Sequence, residues 1–587
     1  MTVGLGPRIL GGPRNLVRAL PSPAPAIGAI RSGRSIAKPS PRRHRGTAGL
    51  LGVVLLGGLG LRLWSIDHGL PLVYNLDEDR HFVERAIEVA AGDLNPHYFE
   101  NPPLLTYLLA AVYRAGVPYG WDPLEGRFFA DPAPAFLAGR LVVALLAGLT
   151  LVVVYRAGRR LHDRRVGLVA AALLATAFLP VLYAKQALND TVTLLPLTLG
   201  LLACLHAWER GRAGDWLLAG VAFGAASATK YTAAAAVVTV ALAAGYRLRQ
   251  DGRPAVARNL FLAVAAFVAT NLALNPYALL DHDLFSRQLL NQADMAGATA
   301  KLGHDEAPAA LYYLWTLTWG LGWAPLAAAA AGAVAWLRAD WRRGLLVAAF
   351  PVGLFCHLAL QARFFGRWLL PAYPALVLFA GYAVVRLAET PRLPVRARGA
   401  VVAALTVVLA LQGALASAHV SQVLGRTDTR QLAADWLDAN LPRGTRMVIE
   451  PFTPKGYLAD VRGGPRRFAR RPVPEPWELY ETTLTAGLVD QYRREGSCWV
   501  VVGSHQRDRG LRADLPGAHA YYGRLRRQAA QVVTFSPYRT GAPPVPFSFD
   551  FSYNHLPRAF LRPGPLVEIY RLADCGRPGT AGTEGAS

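Results

Sequence analysis

Seven carboxylates are crowded into one short stretch of a chain that is otherwise basic and apolar. They lie within residues 74–104, YNLDEDRHFVERAIEVAAGDLNPHYFENPPL, and are Asp77, Glu78, Asp79, Glu84, Glu88, Asp93 and Glu100. A carboxylate beside apolar walls loses part of its hydration, which suits it to act as a general base toward a hydroxyl group. The alternative is that the first three acids are favourable charges at the start of a helix near Glu78, capped by Asn75 or Asp77.

Basic residues in apolar surroundings are the second group that could do chemistry. Arg363 and Arg367 are four residues apart, so a helix would place them on one face. Lys230 interrupts an apolar stretch, where an ionisable group is usually functional. Arg80 follows Asp77 within one helical turn. Arginine makes bidentate contacts with phosphate, whereas the alternative for these side chains is snorkelling to the lipid headgroups.

The elements that must position these groups are membrane helices. The chain has 587 residues, of which 53% are hydrophobic and only 17% are charged, which is too apolar for an ordinary soluble enzyme. The formal charge is +23, with 57 Arg and 5 Lys. Nucleic-acid binding does not explain this charge, because the arginines form short clusters between apolar runs. Arginine favoured so strongly over lysine hints at a bacterial source.

The apolar runs predict eleven membrane spans. They are residues 48–66, 138–157, 166–183, 191–208, 216–229, 231–246, 259–275, 320–337, 344–360, 368–386 and 399–418. Alternate loops, such as RAGRRLHDRR and RLAETPRLPVRAR, are rich in arginine, which predicts a cytoplasmic N-terminus. An odd number of spans then places the C-terminal region outside. Residues 102–116 are too short for a span and are predicted to form an interfacial helix on the outer face.

We predict a mostly α protein, a polytopic membrane helix bundle with a C-terminal extracytoplasmic α/β domain. Residues 1–47 form a disordered basic cytoplasmic tail, 48–420 the membrane domain with a large external first loop at 67–137, 421–575 the α/β domain, and 576–587 a disordered tail. In the α/β domain RMVIEP, CWVVVGS, QVVTFSP and PLVEIYRL are predicted strands. Cys498 and Cys575 lie beside these strands, and either a disulfide or two free thiols fits an oxidising compartment.

An ordered set of motifs resembles the GT-C glycosyltransferases, in the branch of protein O-mannosyltransferases and lipid A aminoarabinose transferases, which is similar to glycosyltransferase family 39. The set begins with Asp77-Glu78 and Arg80, then Gly92-Asp93 and Phe99-Glu100-Asn101-Pro102. YAKQALND, SATKYT, QARFFGRWLLPAYP and RPGPLVEIYRL resemble later landmarks of that branch. The resemblance covers the whole membrane part of the chain.

The resemblance implies an inverting transferase of the bacterial cell membrane that moves a sugar from a polyprenyl-phosphate carrier to an extracytoplasmic acceptor hydroxyl. Carried over by position, Asp77 is the general base, and Glu78 and Asp190 are the other candidate catalytic carboxylates. Four cations are candidates for holding the donor phosphate, namely Arg80, Lys230, Arg363 and Arg367. Glu100 matches an acid that helps to bind a divalent metal in the aminoarabinose transferases, and His304 is its candidate partner.

Several points stay open at the level of sequence. Asn101 stands where the aminoarabinose transferases have a lysine, so their sugar is not implied. The acceptor could be a protein, a lipid or a glycan, and nucleic acid is not expected as a partner. A transporter or flippase is the main alternative, although the two halves of the chain show no obvious repeat. A non-catalytic scaffold that presents the external domain is the second alternative.

Overall fold

The computed structural model describes residues 41–120, 124–298, 300–304, 308–451, 457, 467–472 and 477–575. The predicted tails at 1–47 and 576–587 therefore lie outside the described residues, except that residues 41–47 belong to the first helix. The described residues from Thr47 onward form one compact unit. The fold and the site described below belong to this unit.

Helices make up the part of the chain that precedes residue 425. They are α1 Pro41–Leu63, α2 Glu84–Ala91, α3 Leu104–Arg114, α4 Leu124–Ala130, α5 Ala133–Leu161, α6 Arg164–Thr176, α7 Phe178–Tyr183, α8 Asn189–Val192, α9 Leu194–Arg210, α10 Ala213–Thr229, α11 Val237–Leu274, α12 Tyr277–Leu280, α13 His282–Ala298, α14 Ala309–Leu317, α15 Trp323–Ala339, α16 Trp341–Ala359, α17 Tyr373–Ala388 and α18 Arg398–Leu424. Short 3₁₀ or π turns precede several of them, at Glu78–Val83, Tyr231–Ala236, Thr318–Gly322 and Gly366–Ala372.

Eight helical segments of the described residues are long and apolar enough to cross a membrane. They are Gly46–Leu63, Ala133–Leu161, Asn189–Arg210, Tyr231–Leu274, Ala309–Ala339, Trp341–Ala359, Gly366–Ala388 and Arg398–Asn440. The protein is therefore a multi-pass membrane protein, but the predicted count of eleven spans is not confirmed. Helix α3, within the predicted interfacial segment, has 11 residues. At about 1.5 Å per residue it is too short to cross a bilayer core of about 30 Å.

The difference in span count has local causes in the backbone. The predicted span at 166–183 is two short helices, α6 and α7, because Ala177 has an extended backbone with φ −56° and ψ 128°. The predicted span at 216–229 is the 17-residue helix α10. The predicted spans at 231–246 and 259–275 lie on either side of a break at Gly252, whose backbone is not helical, with φ 76° and ψ 163°, and the segment Tyr231–Leu274, counted once above, contains both.

Close approach of helices through small residues holds the bundle together. A Cβ atom on Gly220 of α10 would lie 2.1 Å from the carbonyl oxygen of Ala263, and one on Gly332 of α15 would lie 1.9 Å from that of Phe379. Neither position can therefore carry a side chain without separating its helix from the neighbour. Helices α10 and α11, and α15 and α17, pack directly at these points.

The C-terminal region is a small α/β domain. Its helices are α19 Thr429–Asn440, α20 Leu488–Arg494, α21 Ser504–Arg512 and α22 Pro516–Gln528, and its strands are β1 Arg446–Ile449, β2 Ala469–Arg470, β3 Trp499–Gly503, β4 Ala529–Phe535 and β5 Val567–Leu572. Among the described residues these strands form one mixed sheet in the order β2-β1-β3-β5-β4. The first three are parallel to one another, and β5 is antiparallel to both β3 and β4. All four predicted strands are present, and the predicted fold class is confirmed.

A disulfide cross-links this domain, and a cation–π contact joins it to the membrane part of the chain. Cys498 and Cys575 form a disulfide, with Cα atoms 5.4 Å apart. The guanidinium of Arg430 in α19 lies 3.8 Å from the ring centroid of Tyr74, which precedes the acidic stretch. The domain is therefore placed beside the segment that carries the candidate catalytic acids.

Candidate active site

The acidic stretch begins with a capped turn that sends neighbouring side chains in different directions. The side-chain oxygen of Asn75 accepts hydrogen bonds from the backbone N–H groups of Asp77 and Glu78, at 3.0 and 3.3 Å. The π turn Glu78–Val83 follows and leads into α2. Glu78 is buried, Asp77 is partly exposed and Arg80 is exposed. The predicted cap by Asn75 is present, and the adjacent acids occupy different environments.

Glu78 is bound in the protein core. Arg140 of α5 donates to both of its carboxylate oxygens, at 2.7 and 2.8 Å, and the two side chains are 0% and 1% exposed. The backbone N–H of Ala187 donates to the same carboxylate at 2.9 Å. A third guanidinium nitrogen of Arg140 binds the carbonyl oxygens of Ile66 and His68. Glu78 thus links its own turn to α5 and to the segment at Ala187, and through Arg140 to the segment at Ile66 and His68.

Asp77 faces a different partner. Arg367, in the 3₁₀ turn before α17, donates to its carboxylate at 2.6 Å. The Nε atom of Arg367 lies 3.9 Å from a carboxylate oxygen of Asp190, and Lys230 forms an ion pair with the other oxygen of Asp190. We call these four residues, Asp77, Arg367, Asp190 and Lys230, the charged cluster. Two acids and two cations from four separate segments meet there.

The solvent exposure of the side chains increases across the charged cluster from Asp190 to Asp77. The side chains of Asp190 and Lys230 are 4% and 12% exposed, whereas those of Arg367 and Asp77 are 21% and 37% exposed. Asp77 is therefore the acid that an incoming molecule can reach. Burial acts to raise the pKa of Asp77, but the charge of Arg367, together with its hydrogen bond and the charges of His81 and Lys301, lowers that pKa to about 2. Asp77 is ionised at neutral pH.

A chain of neutral polar side chains continues from Asp77 toward Asp190. His81 shares a hydrogen bond with the hydroxyl of Tyr98, and the amide of Asn101 donates to that hydroxyl at 2.8 Å. The amide of Asn189 in turn donates to the side-chain oxygen of Asn101 at 3.1 Å. Burial lowers the pKa of His81 despite the opposing charge of Asp77, which favours its neutral form.

These polar residues were not predicted from the sequence. The position of His81, four residues after Asp77 in the same turn, is the one local signal that could have singled it out. Asn101 was noted only as a departure from the family pattern. Its place between Tyr98 and Asn189 gives it a role in holding the Phe99-Glu100-Asn101-Pro102 segment against α8.

Arg80 and Arg363, the other two arginines predicted to bind phosphate, are not members of the charged cluster. Arg363 and Arg367 do not share a helix face, because Phe365 is extended, with φ −140° and ψ 139°, and the turn begins only at Gly366. The prediction of one shared face is therefore wrong. Arg363 contacts the sulfur of Met295 at 3.7 Å, and Arg80 is exposed on the first turn. Lys185 is buried and donates to the carbonyl oxygens of Leu61 and Trp64 at the end of α1.

His304, the candidate metal ligand, lies in aromatic surroundings. His304 is enclosed by the rings of Phe364 and Phe549, with centroids 4.5 and 4.7 Å away. Burial and the charges of Lys301 and Arg363 lower its pKa to about 4. Within the described residues, no group of three or more His, Cys, Asp or Glu could hold a metal ion. Aromatic walls and nearby cations do not suit a bound cation, so no step is assigned to one, and the pairing of Glu100 with His304 stays a prediction.

Two cavities lie apart from the charged cluster. One is in the C-terminal domain, beside Arg430 and Glu450. The other lies between the membrane helices and is lined mainly by apolar residues of α9, α10, α16 and the start of α17. Its wall includes Pro371, which follows Arg367 by one turn, and Leu197, which follows Asp190 by two turns. The second cavity therefore lies below two elements that carry the charged cluster.

Residues 135–275 match the sequence profile of the family described as dolichyl-phosphate-mannose-protein mannosyltransferase. This stretch contains Asp190 and Lys230 of the charged cluster but neither Asp77 nor Arg367. No curated protein sequence matches the chain significantly.

Solved structures of membrane transferases are similar to this chain over most of its length. The apo oligosaccharyltransferase of Archaeoglobus fulgidus is 12% identical with a TM-score of 0.54, over 91% of this chain and 89% of that one. ArnT from Cupriavidus metallidurans bound to undecaprenyl phosphate is 16% identical with a TM-score of 0.52, over 91% and 99%. The archaeal oligosaccharyltransferase AglB with an inhibitory peptide and a dolichol-phosphate is 12% identical with a TM-score of 0.51, over 87% and 75%. At these identities the likeness concerns the fold, and it confirms the GT-C fold that the sequence resemblance implied.

Proposed function

We propose that this protein is a membrane glycosyltransferase that moves a sugar from a polyprenyl-phosphate carrier to an acceptor hydroxyl outside the cytoplasm, with inversion. The observation that carries the proposal is the charged cluster, in which the accessible carboxylate of Asp77 adjoins the guanidinium of Arg367 at 2.6 Å. A transfer from a phosphate needs a base and a cation side by side. The fold and the family profile support the same class of reaction, since ArnT and AglB were solved with lipid phosphates.

The reaction follows from the roles of these groups. The acceptor hydroxyl attacks the anomeric carbon of the sugar from the side opposite the phosphate, which inverts the configuration there. A C–O bond forms to the acceptor, its proton passes to Asp77, and the bond between the anomeric carbon and the phosphate oxygen breaks. The carrier leaves as a phosphate anion held by Arg367 and Lys230, as arginine and lysine commonly hold phosphate. Asp190 keeps both cations in place.

The pairing of Asp77 with Arg367 implies that donor binding activates the base. A carboxylate with a pKa of about 2 is a weak proton acceptor while its arginine partner remains bound. The donor phosphate competes with Asp77 for the guanidinium, because phosphate oxygens match its donors equally well. When Arg367 turns to the phosphate, Asp77 keeps its partly buried surroundings but loses the opposing cation, so its pKa rises. The base becomes effective only when a donor is present.

The apolar cavity between α9, α10 and α16 suits the isoprenoid part of the donor. Its lining includes Leu201, Phe223 and Phe350. An isoprenoid chain gains free energy by leaving water for such a surface, at about 25 cal/mol per Å². The phosphate then lies at the charged cluster while the chain follows the membrane helices.

Sugar transfer by the purified protein tests the proposal. Protein in lipid nanodiscs would be incubated with carriers of one length that bear different labelled sugars, and the products analysed by mass spectrometry. The expected result is loss of one labelled carrier and formation of free polyprenyl phosphate. A transporter would move the intact donor across a vesicle membrane without cleaving it. If folded protein binds the carrier but cleaves none of the sugars in the presence of a membrane extract as acceptor source, the proposed function is wrong.

A further inference from the structure

Three consecutive residues of the C-terminal domain lie against the membrane domain beside Arg367. Phe549 contacts the rings of His304 and Phe365, with centroids 4.7 and 5.9 Å away. Phe551 contacts Trp315 and Trp319, at 4.9 and 5.6 Å. Asp550 lies between them and is only 2% exposed. A carboxylate is rarely placed in such an aromatic interface unless it is hydrogen-bonded there.

Both hydrogen bonds described for the Asp550 side chain come from the membrane domain. One carboxylate oxygen accepts from the backbone N–H of Gly366, at 3.3 Å, and from the hydroxyl of Tyr312 in α14. A Cβ atom on Gly366 would lie 3.3 Å from the other oxygen of Asp550 and 3.1 Å from Trp319. The absence of a side chain at residue 366 therefore permits this close approach.

Gly366 is the first residue of the turn that carries Arg367. The first N–H groups of such a turn have no partner within it, and Asp550 supplies one from a residue 184 positions away in the chain. Rotation of the Gly366 peptide would swing Arg367, whose guanidinium meets Asp77 at 2.6 Å. Displacement of a catalytic group by about 1 Å can cost about 10²-fold in rate.

We propose that Asp550 is a positioning residue through which the C-terminal domain holds Arg367 in its phosphate-binding place. The proposal rests on the proposed function, because it assigns Arg367 to the donor phosphate. It makes the C-terminal domain part of the active site, since Asp550 supplies the acceptor for the Gly366 N–H at the start of the turn that carries Arg367.

Burial raises the pKa of Asp550 to about 7, although the hydrogen bond from Gly366 acts to lower it. Both protonation states retain an oxygen that accepts from the Gly366 N–H. Asparagine, which has the same shape, can place its one oxygen where it accepts both hydrogen bonds and should therefore replace Asp550 with little loss. Alanine removes both hydrogen bonds.

Hydrogen exchange in the full-length protein tests the positioning directly. Asp550→Ala should increase amide exchange in the peptide covering residues 364–372, and Asp550→Asn should restore the protection of wild type. Asp435→Ala, on the exposed face of α19 in the same domain, is the control and should leave that peptide unchanged. Tyr312→Phe removes one of the two hydrogen-bond donors to Asp550 and should give an intermediate increase in amide exchange of that peptide. If Asp550→Ala fails to fold, the exchange of Tyr312→Phe tests the proposal in its place. If folded Asp550→Ala or folded Tyr312→Phe shows the same amide exchange in residues 364–372 as wild type, the proposal is wrong.

Binding of undecaprenyl phosphate separates this proposal from the proposed function. Asp550→Ala should weaken that binding by roughly 5- to 30-fold, and Asp550→Asn by less than about threefold. In an Arg367→Ala background Asp550→Ala should have little further effect, because a residue that acts through Arg367 has nothing left to position. Equal effects of Asp550→Ala in both backgrounds would contradict the inference. If wild type binds no polyprenyl phosphate, the proposed function fails, while the exchange experiment still decides the role of Asp550.

Discussion

Arg367 donates a hydrogen bond to Asp77 at 2.6 Å across a separation of 290 residues. The pair brings the first loop of the chain to the turn that precedes α17 and defines the exposed side of the charged cluster. It also explains why the pKa of Asp77, held at about 2, stays low in the absence of a donor. The predictions below follow from this pair and its surroundings.

Asp77→Asn should lower the rate of sugar transfer by roughly 10²–10⁴-fold, the range typical of a positioned acid–base group. The asparagine keeps the size of the side chain but cannot take the acceptor proton. Binding of undecaprenyl phosphate should be unchanged or tighter, because Arg367 no longer has a competing carboxylate. Turnover and binding would be measured on the same preparation, with Asp93→Asn as an exposed control. Transfer near the wild-type rate by folded, donor-bound Asp77→Asn would exclude Asp77 as the base.

Arg367→Ala should weaken binding of the polyprenyl-phosphate donor more than Arg363→Ala. Loss of a charged hydrogen bond costs about 1.5–3 kcal/mol, and Arg367 binds Asp77 in the charged cluster. Arg363, which contacts Met295, serves as the matched control with the same change of side chain. Dissociation constants from titration with undecaprenyl phosphate would measure both effects. A larger loss for Arg363→Ala would move the phosphate site away from the charged cluster.

Glu78→Gln should lower the free energy of unfolding of the protein. Sugar transfer should fall only because less of the protein is folded. The substitution leaves the guanidinium of Arg140 buried without its carboxylate, and breaking a buried pair in this way costs about 3–5 kcal/mol. Thermal unfolding in detergent would show the loss, and Glu78→Gln combined with Arg140→Gln should recover part of it. If the folded fraction of Glu78→Gln unfolds at the wild-type temperature yet transfers no sugar, Glu78 itself takes part in the chemistry.

Glu450→Gln should remove a pH dependence from the stability of the C-terminal domain. Burial raises the pKa of Glu450 to about 8, against the opposing hydrogen bonds from Tyr522 and Gly503. Between its unfolded value near pH 4.5 and about pH 8 the folded state keeps the proton that the unfolded state has lost, so this group makes unfolding easier as the pH rises. Between pH 5 and pH 8 Glu450→Gln should therefore lose less stability, or gain more, than wild type does. Glu125→Gln, an exposed acid of α4, should keep the wild-type slope in the same unfolding series.

The arginine-rich loops predict that the N-terminus lies in the cytoplasm and the C-terminal domain outside. A reporter that is active only in the cytoplasm, fused after Ser587, should be silent, and one that is active only outside should give a signal. A fusion between α5 and α6, next to Arg159 and Arg160 in the last turn of α5, is the positive control for the cytoplasmic reporter. A strong cytoplasmic signal after Ser587 would place the C-terminal domain on the side away from a lipid-linked donor.

The sequence by itself determined the features that depend on local pattern. Apolar runs identified the membrane part, because a segment that enters lipid must be apolar along its length. Alternation and turn residues identified all four predicted strands of the C-terminal domain. The capping amide of Asn75 was predicted because a cap acts over only two or three residues. The order of motifs also singled out Asp77, Asp190, Lys230 and Arg367, which the fold brings together.

Only the tertiary structure decided which of several similar residues has which environment. Asp77 and Glu78 are adjacent acids, but successive residues of a helical turn point in different directions, and Arg140, 62 residues away from Glu78, binds only one of them. Arg363 and Arg367 are separated by the extended backbone of Phe365, which their spacing does not reveal. Asp550 belongs to no motif, and its part in the site depends on packing between segments 184 residues apart. Such contacts arise from the folding of the whole chain, so no local pattern predicts them.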